Sequence, residues 1–388
     1  MTGFFDKNCV GTANAIAAGL GNAGGGVTYF VMPAIYNALR GDGLTSHVAW
    51  RVDFIVPGVL IVFVALCLFF LCQDTPTGSW EDRFAAVDEN LRKHDMVGMA
   101  DISAHESGNE GAIVGVPGQI TSEKFAAPTS SQVSQDSGEE KKNDLLPPVD
   151  PQYADNEAQI GPEQMYESAK GEVVRKPTGK EIVHVIFSLQ TLVTGMCYFC
   201  SFGAELSINS ILGNWYLANF GPKTKYKFTL QESGNWAAMF GLLNVVCRPA
   251  GGILADYAYR YTGSVWAKKV LLHTYAVITG AFLIAIGLLN SHNTATMFGL
   301  FAGLSFFLEG GNGINYALVP HVHPHANGIV SGFTGAMGNF GGICFAIIFR
   351  YLTPNFGKSV WIIGVITIGV QILLCWINPI PRGQRAGR

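Results

Sequence analysis

The chain has 388 residues, of which 49% are hydrophobic, 12% aromatic and only 14% charged. Soluble domains carry about a quarter charged residues, so this composition excludes a disordered chain, a coiled coil and a basic nucleic-acid binder. A mean hydropathy of +0.27 and 47 glycines fit a polytopic all-α membrane protein, because membrane helices use glycine more than soluble ones.

The net charge of −3 hides a split. Residues 73–180 hold 20 acidic and 10 basic side chains, and the rest of the chain holds 8 and 15. One acidic insert therefore interrupts an apolar, slightly basic chain.

A helix crosses the hydrocarbon core with about 20 mostly apolar residues. Eight stretches qualify: 11–37, 50–72, 182–206, 234–256, 270–290, 296–319, 326–350 and 359–378. The first and seventh are rich in glycine and still read as spans, since small residues let helix backbones approach in a membrane. The start, MTGFFDKNCV, has no signal-peptide pattern.

Lysine and arginine mark cytoplasmic loops. Arg175, Lys176 and Lys180, then Arg260, Lys268 and Lys269, then Arg382, Arg385 and Arg388 fall on one side of this topology. Both termini and the long loop are therefore placed in the cytoplasm, although Lys223, Lys225 and Lys227 fall on the opposite side.

The insert is rich in Ser, Glu, Gln, Pro and Asp and is expected to be disordered. A short amphipathic helix is expected near 80–97. Ser79, Ser103, Ser107 and Ser137 each have an acid three residues on, so the loop is a candidate for a kinase or another regulatory partner. The organisation is read as residues 1–72 with two spans, 73–181 as the loop, and 182–388 with six spans.

An internal repeat links the two parts. TANAIAAGLGNAGGG (12–26) and HANGIVSGFTGAMGNFGG (325–342) share A-N-x-I-x-x-G and then G-N-x-G-G. In carriers built from repeated halves, such helices face each other around a central site.

Charges inside spans are few, and by default they point to function. Arg248 lies mid-span and offers a planar fork of donors that suits a planar oxyanion. The plainer reading is an arginine paired with Glu205 or Glu309 on neighbouring helices. Glu205 is a candidate proton carrier, or else a structural partner of that arginine. Tyr198 lies seven residues before Glu205 on about the same helix face. Its hydroxyl either donates to an anion or packs in the core. Asn22 and Asn339 occupy matching points of the repeat, as uncharged donors or as packing amides. GGILADYAYR (251–260) places Gly251 at its start, with Asp256 and Arg260 at i, i+4 spacing near the span's end.

The chain has no Walker A motif, nucleophile elbow or zinc signature, so neither enzyme chemistry nor a cofactor or metal is read from it. Of the eight cysteines only Cys9 lies in polar sequence, and the Cys197–Cys200 spacing falls inside an apolar helix. HVHPH (321–325) reads as a tight connection, and GLGNAGGG resembles a phosphate loop in glycine content alone.

The residues also resemble a known family. AGLGNAGGGVTYFVMPAIY and GAMGNFGG are similar to the two nitrate signatures of the nitrate/nitrite porters of the major facilitator superfamily. GGILADYAYR is similar to that superfamily's cytoplasmic motif between helices eight and nine, and the long loop resembles that of the fungal nitrate transporters.

The resemblance implies a major facilitator fold with eight of the usual twelve transmembrane helices present. The four preceding helices would carry a second substrate arginine. It implies proton-coupled uptake (symport) of nitrate and nitrite by alternating access at the plasma membrane, in the service of nitrate assimilation. Arg248, Asn22, Asn339 and Tyr198 would bind substrate, Glu205 would couple protons, and Gly251, Asp256 and Arg260 would form the conformational motif. Two other readings stay open: a non-transporting regulatory or sensor fragment, and a carrier of another small anion.

Overall fold

The computed structural model describes residues 10–72, 179–323 and 326–381. The disordered loop, the 80–97 helix, the four serines, Cys9, Arg175, Lys176 and the three C-terminal arginines lie outside the described residues. All described residues belong to one contact unit, 1–78 with 175–388.

The described residues form α-helices and no strand. In chain order these are α1 (Val10–Asn22), α2 (Gly24–Gly41), α3 (Ser46–Asp53), α4 (Ile55–Leu71), α5 (Gly179–Ile186), α6 (Leu189–Phe220), α7 (Leu230–Leu242), α8 (Asn244–Thr262), α9 (Val265–Leu289), α10 (Thr294–Val322), α11 (Asn327–Leu352) and α12 (Phe356–Leu374). Three pairs run on as single rods broken at one residue: α1–α2 at Ala23, α3–α4 at Phe54 and α7–α8 at Leu243. Proline explains two of the breaks, because Pro57 and Pro249 have no N–H for the carbonyl four residues back, within a residue or two of each break.

The rods match the eight expected spans. Six helices or rods among the described residues are long and apolar enough to cross a membrane by themselves. The other two, 10–41 and 294–322, carry the glycines and amides that line the interior. Local chemistry sets the ends. The Ser188 hydroxyl accepts from Thr191 N at the start of α6, and Thr229 with Glu232 forms a capping box on α7. Gly263, at φ 63, ends α8 in the left-handed region that favours glycine.

Two expectations need correction. The third span, expected over 182–206, starts at Leu189 after a break and runs to Phe220. Its second half carries Ser207, Asn209 and Asn214, which lower the apparent hydropathy although Ser207 is buried in the bundle. Lys268 and Lys269, read as loop charges, lie in the first turns of α9 and are fully buried. The connection between α8 and α9 is only Gly263 and Ser264. Lys269 Nζ donates to the carbonyls of Leu374 (3.2 Å), Cys375 (2.8 Å) and Ile377, which are orphan acceptors at the end of α12. The lysines therefore hold neighbouring helices together instead of lying in a loop.

The core is aromatic. Trp215, Tyr216, Phe220, Phe240 and Phe301 are buried together between α6, α7 and α10, with Trp215 edge-on to Phe301 at 5.5 Å. By contrast α4 has no buried residue, as suits a helix facing lipid tails.

Helix α8 lies against α10 at backbone distance. A Cβ at Gly251 would run into the Gly310 carbonyl, and one at Gly313 into the Arg248 carbonyl. Gly313→Ala is expected to destabilise by about 1–3 kcal/mol through overpacking. Gly299→Ala, in the same helix but facing open space, should be neutral or stabilising by up to about 1 kcal/mol. Melting in detergent checks the pair, and equal effects would contradict the packing argument.

Candidate functional site

The close approach of α8 and α10 sets Arg248 deep in the bundle, 2% exposed. Its Nη2 donates to the Tyr198 hydroxyl at 2.6 Å. Nη1 lies 3.6 Å from Glu205 Oε2 and has no hydrogen-bond partner. Glu205 is held by two amides: its Oε1 accepts from Asn244 Nδ2 at 3.0 Å and its Oε2 from Asn312 Nδ2 at 2.7 Å. The guanidinium also lies 5.8 Å from the Phe202 ring centroid and 6.0 Å from that of Tyr198. Tyr198 stacks on Phe202 at 4.8 Å and meets Tyr316 edge-on at 5.1 Å.

This arrangement has a definite chemistry. The Tyr198 oxygen accepts from arginine, so its own hydrogen remains to be given to a third group. Arg248 likewise keeps a free donor at Nη1. A planar cation, a phenol hydrogen and flat aromatic walls together suit a small planar anion. The Glu205 carboxylate balances the guanidinium, and it would compete with an arriving anion.

The structure brings Arg248, Tyr198 and Glu205 together. It does not bring Asn339 to them. That side chain is exposed and donates back to the Gly335 carbonyl at 3.0 Å. Its neighbour Gly338 does reach the site, since a Cβ there would enter the Tyr198 ring and lie 2.9 Å from Phe202 Cδ1. Asn22 Nδ2 is buried without a partner. One turn earlier, Gly19 packs on α8, where a Cβ would lie 2.6 Å from the Asn244 carbonyl.

Sequence reasoning missed Asn244 and Asn312, and it treated Glu309 only as a possible arginine partner. The signals were present as amides at helical spacing from a charge: Asn244 with Arg248 at i, i+4, and Asn312 with Glu309 at i, i+3.

Asp256 makes a second polar cluster. Its Oδ2 accepts from Thr12 N at 2.7 Å and Thr12 Oγ1 at 2.8 Å, and its Oδ1 accepts from Lys268 Nζ at 2.9 Å. Lys268 Nζ also donates to the Ala317 carbonyl at 3.1 Å and lies 3.1 Å from His321 Nε2. The expected i, i+4 partner Arg260 is exposed, and both carboxylate oxygens are filled by Lys268 and Thr12. This cluster ties α1 to α8, α9 and α10 at one end of the bundle, while Gly251 provides the close α8–α10 contact. Among the described residues no group of three or more His, Cys, Asp or Glu could hold a metal.

Membrane-length helices, six of them apolar enough among the described residues to cross a bilayer, packed with a buried polar cluster, are the architecture of a multi-pass membrane protein. No protein-family model matches the chain. It is 43% identical over 98% of its length to Elsinochrome transporter 1 of Elsinoe fawcettii, covering 70% of that protein. It is 26% identical over 97% of its length to High affinity nitrate transporter 2.5 of Arabidopsis thaliana. It is also 28% identical over 189 residues to Nitrate/nitrite transporter NrtP of Nostoc punctiforme.

The chain belongs to the nitrate/nitrite porter family of the major facilitator superfamily, whose members here are transporters and not enzymes. It spans 57% of the Arabidopsis protein and 54% of High-affinity nitrate transporter 2.3 of Oryza sativa.

Proposed function

We propose that this protein takes up nitrate and nitrite together with protons by alternating access. The observation that carries this is Arg248, buried, with a free Nη1 beside the Tyr198 hydroxyl, in a chain similar to several proteins named as nitrate transporters. Nitrate is planar with three equivalent oxygens, so a guanidinium edge and a phenol hydrogen can each meet one.

In this reading Arg248 and Tyr198 bind the anion directly. Asn22 approaches it from the first glycine-rich rod, Gly338 rather than Asn339 lines it from the second, and Glu205 takes part in proton coupling. Gly251, Asp256 and Arg260 belong to the motif that opens and closes one end. Residues 1–72 end one helical half, 182–388 form the six-helix half, and 73–181 join them as a cytoplasmic regulatory loop that a kinase can address. Both termini face the cytoplasm and the membrane is the plasma membrane.

Uptake of labelled nitrate and nitrite by the native protein in liposomes, with and without an inward proton gradient, tests this. Tyr198→Phe removes the phenol hydrogen that this reading gives to the anion, a charge-assisted bond worth about 1.5–3 kcal/mol. Nitrate KM should then rise by roughly tenfold or more, and an unchanged KM would remove Tyr198 from the site.

A second reading is a carrier of a different small molecule, favoured by the 43% identity to a protein named as an elsinochrome transporter. Competition decides between them. Inhibition of labelled nitrate uptake by unlabelled nitrite but not by elsinochrome supports the first reading. Saturable elsinochrome movement with no nitrate uptake supports the second.

A further inference from the structure

Glu309 lies mid-helix in α10 and is fully buried. Neither of its carboxylate oxygens has a hydrogen-bond partner. The groups that act on it from the packed helices are Glu205 of α6 and Arg248 and Cys247 of α8. Tyr275 of α9 lies against the next residue, Gly310. The same guanidinium feels both carboxyl groups.

The cluster thus has one permanent cation and two carboxyls. Glu205 is provided for, with two amide donors and the ion pair to Arg248. Glu309 has no donor at all. A carboxylate without water or donors is disfavoured by lost hydration, and a second carboxylate beside it adds like-charge repulsion. Of the two, Glu309 is the one whose surroundings offer nothing to a negative charge. The anion reading of Arg248 leaves Glu309 with no task, and the charge count supplies one.

We propose that Glu309 is the proton-binding residue of this carrier. The inference rests on the transport reading and deepens it. With Glu309 protonated, the cluster of Arg248, Glu205 and Glu309 is neutral and accepts an anion at a net charge of −1. With Glu309 ionised, the same anion would bring the cluster to −2. Protonation therefore raises anion affinity, and by linkage a bound anion raises proton affinity. A proton adds to a Glu309 oxygen on the side of higher proton activity, travels with the anion, and returns to water on the other side. The protein ends unchanged.

The experiment is done on native protein in liposomes and has two arms. The first is infrared difference spectroscopy at neutral pH, which reads the C=O stretch of a buried protonated carboxyl without requiring transport. The band is expected in the native protein, lost in Glu309→Gln and retained at a shifted position in Glu309→Asp. Its absence from the native protein overturns the proposal, whatever is transported.

The second arm measures nitrate counterflow and gradient-driven accumulation. In Glu309→Gln, counterflow should lose its pH dependence, and an inward proton gradient should no longer drive accumulation, a loss of at least tenfold. Undiminished proton-driven accumulation in Glu309→Gln overturns the proposal. So does native accumulation that follows a sodium gradient at clamped pH. A native band that Glu309→Gln abolishes, in a protein that moves no nitrate, upholds the proton site and removes the transport reading instead.

Discussion

Arg248→Ala is expected to abolish nitrate uptake. Each charge-assisted bond from the guanidinium to the anion is worth about 1.5–3 kcal/mol, so losing two of them costs roughly a hundredfold or more in affinity. The guanidinium is also the shared centre of the site, bonded to Tyr198, paired with Glu205 and lying 6.0 Å and 5.8 Å from the ring centroids of Tyr198 and Phe202. Arg248→Lys keeps the charge but loses the planar fork, so it should recover little.

Folding and function are separable here. Arg248→Ala leaves Glu205 as an uncompensated buried carboxylate, so its abundance in the membrane should fall too. The double variant Arg248→Met with Glu205→Gln removes both charges and should restore abundance without restoring uptake. Labelled-nitrate uptake normalised to membrane abundance makes the comparison. High-affinity uptake by Arg248→Ala would sink the site assignment.

The second large effect is expected at Asp256. Asp256→Ala strands the fully buried Lys268 without its counterion and releases two bonds from Thr12. A loss of about 3–5 kcal/mol follows from breaking such a pair. Because Thr12 starts α1 and Lys268 starts α9, the loss falls on the contact that joins the first rod to α8, α9 and α10. Lys268→Met alone should be comparably damaging, since it leaves Asp256 ionised and buried. Asp256→Leu with Lys268→Met should recover much of the stability, as paired removal of buried charges often does. Melting in detergent measures all four proteins. Independent, additive losses in the double variant would show that the two residues do not act as a pair.

Much of this protein was legible in its sequence because hydropathy is a local property. Twenty apolar residues in a row have few options besides crossing a bilayer, so seven of the eight spans could be placed within several residues of the observed rods, the third being the exception. The glycine-rich repeat was also legible, and Arg248 stood out because an arginine in such a span needs a reason. Arg248, Tyr198 and Glu205, each singled out in the sequence, lie together in the structure.

Only the tertiary structure decided which polar groups answer one another. Lys268 and Lys269 read as loop charges because a hydropathy window sees the residue and not its partner. Asp256 and the carbonyls at the end of α12 are what make their burial possible. Asp256 itself read as the neighbour of Arg260, yet its bonds come from 12 residues along the chain and from 244 residues away. Asn339, equivalent to Asn22 in the repeat, turned its amide onto its own helix while its glycine neighbour carried the contact. Glu309 passed for a spare arginine partner until Asn244 and Asn312 were seen to serve Glu205 instead. The cost of burying a charge depends on every group within a few ångströms, and in a helical bundle most of those groups come from other helices.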